Sequence, residues 1–281
     1  MNKPGQNLQR DGVRADRAFD VVVDGYDAVY AAAASSPAFT TLWADHAYGG
    51  PFPAEFAHFS FLTFDELQVM AHYLALSEKA VLVDLACGAG GPGLWIAAQC
   101  GASVIGVDPS SAGLAQARKR AEQTGLTDRS LYQQGTFAST GLGHGAADGA
   151  LSIDAIQYAP GKTEVFREAY RILRPGGRLA FSAFEVDPER VAAIPVLGVD
   201  PVPDYAPLLE TAGFVIDSYT ESAGWGDRVP ATFGAVIEAM PALTDEIGEA
   251  ASMALQMEAA VTLRLQPYRR RVIVHARRLD G

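Results

Sequence analysis

The chain has 281 residues, 49% hydrophobic and 20% charged, the balance of an ordinary globular protein rather than a disordered or fibrous one. That length buries a real core without staples, and Cys87 and Cys100 sit outside any CxxC or Cys/His pattern, so neither a disulfide framework nor a bound metal is expected. A formal charge of −11, from 33 acidic and 22 basic residues, argues against a nucleic-acid backbone as partner. No apolar run reaches the ~20 residues of a membrane span, and the first residues are too polar for a signal peptide, so a cytoplasmic location is expected.

In chain order, residues 1–17 are polar and aperiodic and read as a mobile tail. Residues 18–79 read as a helical cap. Phe19, Val22, Val23, Tyr26, Val29 and Tyr30 recur at the three-and-four spacing of one helix face. Phe52, Phe56, Phe59, Phe61 and Phe64 follow, broken by Pro51 and Pro53, and Asp65–Leu76 is a second helix. From residue 80 to the end, short apolar runs alternate with helices, the grammar of a mostly parallel sheet covered on both faces.

The expected strands are 80–85, 103–107, 130–134, 149–153, 178–184, 214–219 and 270–276. The helices between them are 93–100, 110–124, 163–173 and 204–212, the third ending in the stop signal Arg174-Pro-Gly-Gly177. Residues 186–203 are a long connection. Residues 231–263 form a helical insertion before the last strand, whose Met240, Met253 and Met257 suit an adaptable apolar lid. The aromatic cluster at 52–64 serves either such a lid or a contact between two copies of the chain, a homodimer.

The most informative stretch is Val81-Leu-Val-Asp84-Leu-Ala86-Cys-Gly88-Ala-Gly90-Gly-Pro-Gly93. A buried strand runs into glycines that permit a tight turn, then into a helix start whose free N–H groups face a ligand. Gly88, Gly90 and Gly93 satisfy GxGxxG, so an NAD(P)-dependent oxidoreductase is one reading. Asp84 weighs against it, because a strand-end carboxylate repels a pyrophosphate and attracts an amine. Asp108, with Pro109 beside it, ends the next strand, where a carboxylate accepts both hydroxyls of a ribose. An amine-accepting acid plus a ribose-binding acid describes S-adenosylmethionine.

These motifs resemble the class I S-adenosylmethionine-dependent methyltransferases of the small-molecule kind, similar to the ubiquinone/menaquinone-biosynthesis group. Asp84–Gly90 matches the cofactor loop, 104–110 the second motif, and 164–177 the late motif. The resemblance implies a Rossmann-like α/β fold with a seven-stranded sheet, S-adenosylmethionine as cofactor, and Asp84, Ala86, Gly88, Gly90, Asp108, Pro109, Thr136, Phe137 and Tyr26 as cofactor-binding residues. Ala86 replaces a family glycine, and Gly135-Thr136-Phe137 stands where the family often has Gly-Asp-Ala, so Thr136 would accept from the adenine amine and Phe137 would stack on the base.

For catalysis the candidates are His46, from Trp43-Ala-Asp-His46 in the cap, Tyr158 as a hydroxyl donor, and Asp154 after the fourth strand. His72, His144 and His275 read as structural. The implied reaction is methyl transfer to oxygen or nitrogen, with carbon as a sub-case, of an apolar or aromatic small molecule. A protein that binds the cofactor without methyl transfer is the remaining alternative.

Overall fold

The computed structural model describes residues 4–192, 194 and 200–280. Seven strands form one sheet in the order β3-β2-β1-β4-β5-β7-β6. They are β1 Val81–Leu85, β2 Ser103–Asp108, β3 Ser130–Gln134, β4 Ala147–Ile153, β5 Leu173–Val186, β6 Phe214–Glu221 and β7 Arg269–Arg278. The first five run parallel to their neighbours, and β7 is antiparallel to both β5 and β6. All seven expected strands are present, and β5 begins earlier than expected. The Pro175-Gly176-Gly177 stop closes its helix but joins the next strand, with a register shift against β4 between Ala147 and Gly149.

The central strands read as continuous apolar runs because both faces are covered. Leu82, Val83 and Leu85 of β1, Leu151 of β4 and Phe181 of β5 are all at most 1% exposed. Helices α4 Gly91–Cys100 and α5 Ser111–Gln123 follow β1 and β2, and α6 Lys162–Ile172 follows β4. The chain reverses direction across the sheet between β1 and β4, and the crevice outside the carboxyl ends of those strands is where open α/β sheets bind ligands.

The cap consists of α1 Pro4–Ala33, α2 Pro37–His46, a short turn at Ala54–Phe56, and α3 Phe64–Leu74. The stretch expected as a mobile tail is helical from Pro4 onward. Its first turns are too polar to show an apolar face, so periodicity gave no signal there, whereas helix propensity does not need one. Residues 1–3 of that tail lie outside the described residues. Helix α3 starts at a reciprocal capping box: the Glu66 N–H donates to Thr63 Oγ1 at 3.1 Å and the Thr63 N–H to Glu66 Oε2 at 3.0 Å.

The connection 186–203 contains a single helical turn, α7 Pro188–Val191, and its residues 193 and 195–199 lie outside the described ones. Helix α8 Ala206–Ala212 precedes β6. The lid is two helices, α9 Trp225–Glu238 and α10 Met240–Leu265, the latter kinked at Gly248. Their buried side is not the methionines: Met253 is 66% exposed, whereas Val229, Phe233, Leu255 and Ala259 are at most 1% exposed. These pack with Val29, Trp43 and Phe61 into one apolar cluster that joins the lid to the cap. Of the phenylalanine cluster, Phe52, Phe59 and Phe61 join it, whereas Phe56 and Phe64 pack against the separate cluster that contains Trp95. Trp43 meets Phe59 edge-on at 4.4 Å and donates its indole N–H to the Ser60 carbonyl at 3.1 Å. Among the described residues no helix is long and apolar enough to cross a membrane.

Candidate functional site

The carboxyl ends of β1 and β2 bring two carboxylates together. Asp84 and Asp108 are 3% and 6% exposed, and neither has a salt-bridge partner among the described residues. Burial, aided by the charge of Asp108, pushes Asp84 up to about 8 against one opposing hydrogen bond from the Gly93 N–H. Burial likewise raises Asp108 to about 6, partly offset by N–H donors from Ser110 and Gly88. Those bonds are 2.7 and 2.8 Å long and tie the glycine loop to the end of β2.

The loop between β1 and α4 turns through three left-handed residues, Ala86 at φ 57°, Gly88 at φ 50° and Gly90 at φ 73°. Ala86 holds this conformation because its N–H and that of Cys87 both donate to the Val107 carbonyl, at 2.8 and 3.2 Å. At Gly88 the absence of a side chain is required twice, since a Cβ there would also lie 2.1 Å from the Tyr30 hydroxyl. Gly90 faces Ala117 and Tyr132 rather than the crevice, so its role is to make the turn and let α5 and β3 approach.

Helix α1 forms the roof. Asp27 accepts from Ser110 Oγ at 2.7 Å and from the Ala112 N–H at 2.9 Å, which caps α5 from outside its own chain segment. Burial opposes its charge, but these hydrogen bonds outweigh it and hold the carboxyl below its usual value. Beneath the roof is a cavity of about 530 Å³ lined by Phe19, Tyr26, Tyr30, Ala86, Asp108, Pro109 and Phe137, among others. A smaller one of about 340 Å³ adjoins it at Tyr30, Phe59, Ala86 and Ile153 and reaches Asp84, Cys87, Ala89 and Pro92. Phe137 stands 6.4 Å from Phe19, and Thr136 is half-buried in a backbone bridge with Ser139, outside the cavity walls.

Three residues expected in catalysis fare differently. Tyr158 lines the larger cavity and forms a triangle with Tyr26 and Glu258: Tyr26 and Tyr158 oxygens are 3.0 Å apart, and Glu258 Oε1 lies 3.0 and 3.2 Å from them. Burial raises the Glu258 carboxyl against the hydrogen bonds from both tyrosines. Asp154 also lines the larger cavity, but both of its carboxylate oxygens have protein partners. Its Oδ1 accepts from Ser182 Oγ at 2.7 Å and Arg271 Nε at 2.8 Å, and its Oδ2 from the Phe61 N–H at 2.9 Å. With φ at 49°, it is a strained anchor that ties the cap to β4 through the fully buried Arg271, which also pairs with Glu66. His46 lies exposed in the last turn of α2 and lines none of these cavities, because the buried side of that helix is Phe39, Leu42 and Trp43.

Residues 83–181 match the family model described as a methyltransferase domain. The chain carries a methyltransferase domain over those residues. It is 33% identical over 116 residues to methyltransferase phqN of Penicillium fellutanum, a match covering 41% of this chain and 35% of that protein. It is 29% identical over 187 residues to methyltransferase GfsG of Streptomyces halstedii, covering 63% and 66%. A third relative, the sterol 24-C-methyltransferase of Pneumocystis carinii (strain B80), is 33% identical over 113 residues, 39% of this chain and 30% of that one. The chain thus spans about a third of the length of two of these relatives and 66% of the third.

Among solved structures, the [4+2]-cyclase SpnF superposes with a TM-score of 0.74 at 20% identity, over 92% of this chain and 96% of that one. Geranyl diphosphate C-methyltransferase from Streptomyces coelicolor A3(2) gives 0.59 at 16% identity, over 83% and 87%. These likenesses establish the Rossmann-like methyltransferase fold over nearly the whole chain.

The cofactor of such a domain fits the residues present. Two buried carboxylates without a partner cation among the described residues suit a ligand that is a cation at one end and a ribose in the middle, and repel a pyrophosphate. The methyltransferase domain sets aside the nicotinamide alternative. Three site residues went unrecognised in the sequence. Tyr30 shared the apolar stripe of α1, Asp27 sat one place past Tyr26 in that helix, and Glu258 was one more charge in an Ala/Met/Glu-rich helix; only the packing of α1 against the glycine loop, α5 and α10 gives them a role.

Proposed function

We propose that this protein transfers a methyl group from S-adenosylmethionine to an oxygen or nitrogen of a small, largely apolar acceptor. The observation that carries the reading is the pair of uncompensated buried carboxylates, Asp84 and Asp108, on either side of the glycine loop under the roof of α1. In this reading Asp84 takes the ammonium of the amino-acid end, Asp108 the ribose hydroxyls, and Phe137 and Phe19 bracket the base. Bound there, the cofactor supplies an electrophilic methyl on a sulfonium. The chain supplies alignment and a water-poor enclosure, which a direct displacement needs more than covalent help.

The acceptor is assigned to the cavity on the far side of Tyr158, about 510 Å³ and lined by Phe184, Val202, Tyr205, Thr262, Leu265 and Arg269, among others. The Arg269 guanidinium lies 4.3 Å over the Phe184 ring and Lys162 lines the same cavity, so the apolar slot carries two basic groups. Where Tyr158 divides the two cavities, the half-buried Glu258 is placed to receive the acceptor's proton through the tyrosine hydroxyls. The sterol 24-C-methyltransferase likeness keeps carbon as the sub-case, and the same polar triangle would then remove the proton after transfer. Residence in the cytoplasm fits this chemistry.

A second reading, binding of the cofactor without methyl transfer, is favoured by the likeness to a [4+2]-cyclase across 92% of the chain. Incubation with S-adenosylmethionine and a panel of phenols, amines and prenylated acids separates the two. Stoichiometric S-adenosylhomocysteine with a methylated product supports transfer. Acceptor consumption with intact cofactor supports the second reading.

A further inference from the structure

The smaller cavity contains a group that the displacement reaction does not use. His58 follows the Ala54–Phe56 turn, and the strap that carries it presses on the start of α4. A Cβ at Gly91 would lie 2.2 Å from the Phe56 carbonyl oxygen and 2.7 Å from that of Ala57, so glycine at this position admits the strap. His58 thereby enters the same wall as Asp84, Ala86, Cys87, Ala89 and Pro92.

The ring is held from several sides. The His58 N–H donates to the Tyr48 hydroxyl at 3.0 Å, which donates to the His58 carbonyl at 2.8 Å. The imidazole packs against Tyr48 at 4.6 Å and edge-on against Phe52 at 4.5 Å. Ser60 Oγ sits 2.7 Å from Nδ1 and accepts from the Leu62 N–H at 3.4 Å, which leaves the hydroxyl proton free to donate to Nδ1. In that arrangement the ring proton is on Nε2. Burial depresses the imidazole to about 3, so the ring is neutral under all ordinary conditions.

Yet Nε2 is fully buried and has no hydrogen-bond partner among the described residues. A buried N–H without an acceptor is unfavourable, and a cavity wall is the place where a ligand supplies one. In that tautomer the unpartnered Nε2 offers a donor and not a base.

We propose that His58 recognises the α-carboxylate of the cofactor's amino-acid end, its Nε2–H donating to that carboxylate while Asp84 in the same wall takes the ammonium. His58 is thus a specificity-determining residue, which rejects analogues that keep the amine and lack the carboxylate. This rests on the assignment of these cavities to S-adenosylmethionine.

The test is calorimetric and needs no acceptor. S-adenosylhomocysteine and its decarboxylated counterpart, S-adenosyl-3-thiopropylamine, are titrated into wild type, His58→Leu and His58→Gln. A charge-assisted hydrogen bond in a buried site predicts that His58→Leu loses about tenfold to a hundredfold in affinity for the carboxylated ligand and less than about twofold for the decarboxylated one. His58→Gln, which keeps a donor amide, recovers part of the difference. Equal weakening of both ligands, or no change in either, overturns the assignment. Failure of wild type to bind either ligand overturns the cofactor reading itself, and the wild-type titration alone reveals it. The ¹⁵N shifts of the His58 ring in the free protein give a check without mutation: a protonated Nδ1 refutes the tautomer on which the donor rests.

Discussion

Asp84 offers the sharpest test of the site, because its protonation and its binding role are linked. In the free protein, burial and the neighbouring Asp108 hold its carboxyl at about 8. A bound ammonium requires the ionised form, so below that value the ligand binds only after a proton leaves. The free carboxyl is about 1% ionised at pH 6 and about half ionised at pH 8, so affinity rises about fiftyfold across that window and levels off above it. Asp84→Asn removes both the charge and the titration. The loss of one hydrogen bond to a charged group, about 1.5–3 kcal/mol, weakens binding by about tenfold to a hundredfold at pH 8.

The assay is isothermal titration of S-adenosylhomocysteine between pH 6 and 8.5 in buffers of differing ionisation enthalpy, which count the protons released. The ligand's own amine titrates equally in both proteins and cancels in their ratio. The expected result is a ratio of affinities that widens with pH as wild type gains and Asp84→Asn does not. A ratio constant across the window, or no proton release by wild type at pH 7, refutes the argument that this carboxylate meets the amine.

The same linkage acts on stability. Both Asp84 and Asp108 have folded values raised above the ordinary carboxylate range, so their favourable contribution to folding is fullest below about 4 and is lost as pH rises through about 6 and then about 8. The rise in melting temperature produced by saturating ligand is therefore larger at pH 8 than at pH 6, as differential scanning calorimetry reads directly. Asp27→Ala removes the cap that α1 places on α5, costing about 1 kcal/mol and exposing α1; faster amide exchange across Val22–Ala33 with the sheet unchanged is the expected signature. Arg271→Met leaves Asp154 and Glu66 buried without their counter-ion, a loss of about 3–5 kcal/mol in urea unfolding, far above that of an exposed arginine such as Arg167. His46→Ala, on the exposed turn of α2, leaves turnover and S-adenosylhomocysteine affinity unchanged.

Much of the α/β half was legible in the sequence because its signals are local. A run such as Val81–Leu85 followed by glycines, proline and an apolar helix specifies strand, turn and helix within 20 residues, and all seven strands fell where such runs were found. The cofactor carboxylates were legible for the same reason, each standing at the end of its own strand. The beginning of α1 was not, since its polar first turns show no apolar stripe. Neither was the boundary between α9 and α10, where a continuous helix-forming composition conceals a break at Ala239 and a kink at Gly248.

The histidines and Asp154 show where sequence reasoning stops. His46 and His58 lie in the same cap, and nothing in their immediate neighbours ranks one above the other; Trp43 and Phe59 even pack together. The choice is made by a contact remote in sequence, the close approach of residues 56–57 to Gly91, which carries one ring to the glycine loop while the other stays in water. Asp154 was expected near the chemistry because it follows a strand at the right edge of the sheet. That position is correct, but Arg271, 117 residues later, takes its carboxylate for a buried ion pair. A strand-end acid is therefore informative only once its cation is known. With Asp84 and Asp108 no such cation exists among the described residues, and by that difference the structure separates the carboxylates that hold the cap from those left to hold a ligand.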